Sequence, residues 1–154
     1  QDRRGRHQDV QLMSSLLSRI EDLPTTVVIR SDLAAAHEAE KALLAEVAGC
    51  NYSEASTFAI KLAVEEGMNN AVKHGNMFDA RKTVELVYDI SKDRAVITIT
   101  DQGGGFDPSA VPDPTADENL EKPTGRGVML MRAYMDEVAY NFKGNQVRMV
   151  KRNT

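Results

Sequence analysis

The segment Glu66-Gly67-Met68-Asn69-Asn70-Ala71-Val72-Lys73-His74-Gly75 limits the fold more than any other part of the chain. At about 100° per residue, Glu66, Asn70 and His74 continue the helix face occupied by Ala59, Leu62 and Ala63. A carboxylate, an amide and an imidazole thus stand where apolar packing is expected. The opposite side, Ile60, Val64, Met68 and Ala71, is apolar as well, which predicts a helix covered on both sides. Burying an unpartnered carboxylate costs on the order of several kcal/mol, so this face is expected to meet a cation, a water or a ligand.

Two glycine clusters downstream supply the other walls of such a site. Ala95 to Thr100 reads as a strand running directly into Asp101-Gln102-Gly103-Gly104-Gly105-Phe106, and Thr124-Gly125-Arg126-Gly127 opens a helical segment from Val128 to Met135. A carboxylate at a strand end can accept a hydrogen bond from an exocyclic amine, while glycines let backbone approach a flat ring or a phosphate. Gly125 and Gly127 at a helix start are expected to leave N–H groups facing outward, an anion site.

In this order the three segments resemble the N box and the first and second glycine boxes of the GHKL ATPases. Within that group the chain is most similar to the small serine kinases that double as anti-sigma factors. Val64 to Gly75 matches their N box, and Gly125-Arg126-Gly127-Val128-Met129-Leu130-Met131 with Met135-Asp136-Glu137-Val138 matches their second glycine box and the following helix. The resemblance covers roughly residues 25 to 152.

A chain of 154 residues is long enough for one domain with a real core and too short for a catalytic domain plus a transducer. Its net charge of -4 argues against a nucleic-acid surface. Cys50 is the single cysteine, which excludes an internal disulfide and suits a reducing cytoplasm; no apolar run reaches a membrane span. Arg3, Arg4, Arg6 and His7 lie in a polar segment, so residues 1–22 are expected to be a tail, partly disordered or a short helix, with Met13 as a candidate natural start. Residues 23–154 form the predicted domain.

Its elements are a β-branched run from Thr25 to Arg30, a helix capped by Ser31 or Asp32 and ended by Gly49, and the motif helix capped by Ser53. A hairpin turning at Ser91-Lys92-Asp93 follows, and later a helix to about Asp136 and two strands around Gly144-Asn145. Between the glycine boxes, residues 107–124 carry Pro108, Pro112, Pro114 and Pro123 and read as a lid. The mixture predicts an α+β fold: a two-layer sandwich with a mixed, mostly antiparallel sheet and helices on one face. The resemblance implies the same Bergerat-type sandwich, with ATP between the helical layer and the lid.

The resemblance also assigns roles, each of which has a plainer alternative. Glu66 stands at the family's general-base position; the alternative, a solvated helix glutamate, fits Glu65 better. Asn70 offers a neutral oxygen to Mg²⁺, or is a buried amide satisfied by backbone. Asn69 flanks it to position phosphate or water, and His74 is a supporting helix-end residue. Asp101 reads the adenine amino group, with Gly103 and Gly105 making room, unless it is an exposed turn. Gln102 stands where many relatives carry Asn. Gly125 and Gly127 line the triphosphate, and Arg126 either pairs with the γ-phosphate or is a surface arginine. Lys73, Phe106 and Val128 complete the expected nucleotide contacts.

The implied function is an ATP- and Mg²⁺-dependent protein serine/threonine kinase that binds a sigma factor and phosphorylates a small antagonist protein on serine. Expected partners are therefore proteins, with no nucleic acid and no membrane, and the expected assembly is a homodimer. One alternative is an ATP-gated binding switch without chemistry. Another is the catalytic domain of a histidine kinase, which would need a phosphoacceptor helix that neither His7 nor His37 provides.

Overall fold

The computed structural model describes residues 3–21, 23–105 and 123–154, with the side chains of 19–21 and 123–125 excepted. Its sheet follows from period-two patterning. Strands β1 (Thr25–Arg30), β2 (Thr83–Ile90) and β3 (Arg94–Thr100) alternate between one covered face and one more open face. Strands β4 (Glu137–Tyr140) and β5 (Gln146–Arg152) complete the order β1-β2-β3-β5-β4. Every pairing among the described strands is antiparallel, where the sequence led us to expect a mixed sheet. The turn at residues 141–145 folds β5 back between β3 and β4, so no parallel neighbour arises.

Register is fixed by apolar rungs. Tyr88, Ile97 and Met149 face one another across β2, β3 and β5, and Leu86, Ile99 and Val147 form the next rung. All six are buried. A slip of one residue would turn both rungs to the open face, which is why this register is strongly specified.

Helices α2 (Leu33–Gly49), α3 (Glu54–Asn70) and α4 (Pro123–Tyr134) pack their apolar sides on the sheet, giving the expected two-layer α+β architecture. Asp32 caps α2 by accepting from the Ala35 N–H at 2.7 Å, and Ser53 caps α3 by accepting from the Ser56 N–H at 3.1 Å. The N-terminal segment forms a 19-residue helix, α1 (Arg3–Glu21). No proline interrupts it before Pro24, and its Val10, Leu12, Met13, Leu16 and Leu17 are exposed. No described helix is long and apolar enough to cross a membrane.

Candidate nucleotide-binding site

The site begins with how closely α3 can lie on the sheet. Gly67 allows it: a Cβ there would stand 2.7 Å from Ile99 Cδ1 and 3.6 Å from Met149 Cε. With Met68 buried beside it, Glu66, Asn69 and Asn70 are left half-buried at the helix end. The chain then widens into a π-helical turn, Ala71–Gly75, closed by the Asn76 N–H donating to the Ala71 carbonyl at 2.8 Å. The wider turn shortens the angular step per residue, and Lys73 and His74 are exposed. His74 is therefore exposed on a π-helical turn, where the sequence led us to expect an α-helical continuation of the face of Glu66 and Asn70.

Helix α4 meets this face at Gly127. A Cβ on Gly127 would lie 2.8 Å from Asn70 Nδ2 and 2.9 Å from Glu66 Oε2, so the two helices touch here because residue 127 has no side chain. Since α4 starts at Pro123, Gly125 falls in its first turn and Gly127 beyond it. Gly127 thus contributes close approach, where the sequence reading expected a free N–H. Val128 is wholly buried within α4 and packs in the core, so it does not offer the nucleotide contact that the sequence led us to expect. Arg126 is exposed next to these residues.

The electrostatics of this corner are those of a partly desolvated acid. Burial pushes the Glu66 carboxyl above its ordinary value, Glu65 adds to the rise, and Lys73 and Arg126 oppose it. Burial and then Lys73 push the His74 imidazole below its ordinary value. The Asn70 amide nitrogen is buried and has no hydrogen-bond partner among the described residues. Such a group normally finds one, and because amide oxygen and nitrogen are exchanged by a simple flip, the same position can present Oδ1 to a cation. Among the described residues no group of three or more His, Cys, Asp or Glu could hold a metal. A magnesium ion at Asn70 would take its remaining ligands from phosphate and water, which fits the donor set present.

The second wall is built around Asp101. Its carboxylate accepts the Gly103 N–H at 2.8 Å, and a Cβ on Gly75 would run into that carboxylate, 2.6 Å from Oδ1. A Cβ on Gly103 would collide with the Gly75 carbonyl, so the motif helix and the first glycine loop meet through two glycines. Burial raises the Asp101 pKa against the Gly103 N–H, Lys143 and Lys82, which lower it. Gly105 is left-handed at φ 77°, and its Cβ would strike the Lys143 carbonyl. Phe106 and residues 107–122 of the expected lid lie outside the described residues.

Several residues of this wall were not singled out by the sequence reading. The Asn145 carbonyl accepts the Asp101 N–H and its Nδ2 donates to the Asp101 carbonyl, both at 2.9 Å. Asn141 Oδ1 accepts from the N–H groups of Gly144, Asn145 and Gln146 and so shapes the turn that holds Asn145. Tyr140 is pushed up to about 12, chiefly by burial, with Arg132 opposing and Asp101 adding. Asn76 bonds to both the glycine loop and β2. For Asn76 and Asn145 the sequence signal was their place beside a turn glycine, and long-range bonds to backbone leave no periodic trace.

Comparison with known proteins settles what this arrangement belongs to. Residues 29–151 match the histidine kinase-like ATPase domain. The chain is a member of the histidine kinase-like ATPase family. Among its similar relatives, the Serine-protein kinase RsbW of Staphylococcus epidermidis is 35% identical over 112 residues, 68% of this chain and 69% of that protein. The protein of the same name from Staphylococcus aureus strain MRSA252 is 32% identical over 114 residues, with the same coverage. That of Bacillus subtilis is 33% identical over 101 residues, 60% of this chain and 62% of the relative. The match to the histidine kinase-like ATPase domain takes in every residue of the two walls and leaves α1 outside.

Proposed function

We propose that the chain is an ATP-dependent protein serine/threonine kinase that acts as an anti-sigma factor and phosphorylates a small antagonist protein on serine. The observation that carries this reading is the convergence of Glu66 and Asn70 on Gly127, which joins the N box to the second glycine box. The relatives named as serine-protein kinases support the same class of reaction.

In this reading Asp101 accepts a hydrogen bond from the adenine amino group, and the backbone of Gly103 and Gly105 lies along the ring and sugar. Asn70 binds Mg²⁺, which when bound supplies charge neutralisation at the phosphates. Gly125 and Gly127 face the triphosphate, Asn69 and Lys73 flank it, and Arg126 pairs with the γ-phosphate. Glu66 takes the proton from the attacking serine hydroxyl, a role that its raised pKa favours because the carboxylate is then a stronger base. The partners proposed are a sigma factor and its antagonist, and the working form is a cytoplasmic homodimer, both on the strength of the family resemblance.

The test mixes the protein with MgATP and a candidate antagonist from the same genome, then maps phosphosites. Phosphoserine on the antagonist that disappears with Glu66→Gln is the expected result. Acid-labile phosphohistidine on this chain would favour histidine-kinase chemistry instead, and nucleotide-sensitive binding with no phosphorylation would leave a switch without chemistry.

A further inference from the structure

The loop after the π turn holds a backbone that its residues disfavour. Met77 at φ 52° and Phe78 at φ 58° are both left-handed, a region that penalises any residue with a Cβ. Neither is held by its own side chain, since Met77 is 78% and Phe78 56% exposed. The preceding residue does the holding. Asn76 is wholly buried; its Nδ2 donates to the Thr83 carbonyl at 2.9 Å and its Oδ1 accepts the Gln102 N–H at 2.8 Å. Gln102 returns the tie, its Oε1 accepting the Thr83 N–H at 2.8 Å. The Phe78 N–H donates to the Val72 carbonyl at 2.9 Å.

One amide therefore joins the end of the motif helix, the start of β2 and the first glycine loop. Its neighbours along the chain are the residues that matter for ligand geometry. Gly75, just before it, lies against the Asp101 carboxylate, and Gln102, its partner, directly follows Asp101.

We infer that Asn76 is a positioning residue for base recognition, fixing the Asp101 carboxylate relative to the Glu66–Asn70 face so that a purine with its amine at C6 is held while its phosphates reach Gly127. This rests on the nucleotide reading above. Without the amide, the Gln102 N–H and the Thr83 carbonyl lose their partner, and the left-handed pair is free to relax, carrying Gly75 and Asp101 with it. At C6 guanine presents a carbonyl where adenine presents the amine, so a displaced Asp101 costs ATP its favourable bond there and GTP nothing.

The experiment measures Kd for MgATP and MgGTP by calorimetry, with Tm, for wild type, Asn76→Ala, Gln102→Ala and Asp101→Ala. Val47→Ala, a core truncation in α2, serves as a control for plain destabilisation. Asn76→Ala is expected to weaken MgATP about tenfold, the equivalent of one net hydrogen bond, and to leave MgGTP nearly unchanged, so the preference for ATP shrinks. Gln102→Ala moves the same way by less, and Val47→Ala lowers Tm with the preference intact. The proposal is overturned if Asn76→Ala and Gln102→Ala lower Tm but keep both Kd values and their ratio. Should Asn76→Ala not fold, the same criteria apply to Gln102→Ala alone. Failure of the underlying reading looks different: wild type then binds neither nucleotide, or Asp101→Ala keeps the wild-type preference, and the inference falls with it.

Discussion

Gly127→Ala isolates the contact on which the site depends. The new Cβ would lie 2.8 Å from Asn70 Nδ2 and 2.9 Å from Glu66 Oε2, about half an ångström or more inside ordinary contact near 3.4 Å. Both obstructed atoms are ends of side chains, so the helix can stay where it is and the side chains give way. Each forced rotation costs about 0.5–1.5 kcal/mol, while alanine in a helix returns up to about 1 kcal/mol relative to glycine. Net stability should change by no more than about 2 kcal/mol, a Tm shift of a few degrees for a domain of this size. Activity should change far more, because displacing the base and the metal ligand together by about half an ångström is of the order that costs ~10–10²-fold in rate. Thermal melting and a phosphotransfer assay on the same preparation check both halves. Transfer within a factor of two or three of wild type would refute the claim that Gly127 sets the positions of Glu66 and Asn70.

Glu66→Gln should bind MgATP within a few-fold of wild type and lose transfer by ~10² or more, read by calorimetry and a single-turnover assay. In wild type the acid limb of the pH–rate profile should fall above the ordinary carboxylate range, because burial raises the Glu66 pKa and the base works only when charged. Arg126→Ala removes an influence that lowers this pKa, so its acid limb should move to higher pH. The same raised pKa means that Glu66 favours the folded state when protonated and that this contribution is lost as pH rises through it, a slope that Glu66→Gln should remove from the stability profile. Gly67→Ala places a Cβ 2.7 Å from Ile99 Cδ1 in the packed core and should cost about 1–3 kcal/mol in denaturant melts.

Local patterning made most of the fold legible. Alternation in Val84 to Ile90 and Arg94 to Thr100 marked a hairpin, and Ser31 or Asp32 and then Ser53 marked two helix starts, of which Asp32 and Ser53 supply the caps. The pairing of β3 with β5 was not readable, because it depends on which edge is open after β2 has paired, and one strand's pattern does not carry that. At the site, helical periodicity placed Glu66 and Asn70 on one face correctly. It missed the π turn that carries His74, since nothing in the residue types announces it. Gly103 and Gly127 were expected to make room for a ligand, whereas both, with Gly75, are points where two segments of the chain touch. Asn76, Asn141 and Asn145 stayed hidden because each acts through backbone atoms distant in sequence or around a turn.

Calorimetric titration with ATP, in Mg²⁺ and in chelator, tests most directly whether the two walls form one nucleotide site. The account predicts saturable binding to the folded protein that weakens in chelator, and Asn70→Ala should lose that dependence on Mg²⁺ while keeping its fold. Absence of binding at millimolar MgATP would contradict the assignment of the site as a whole.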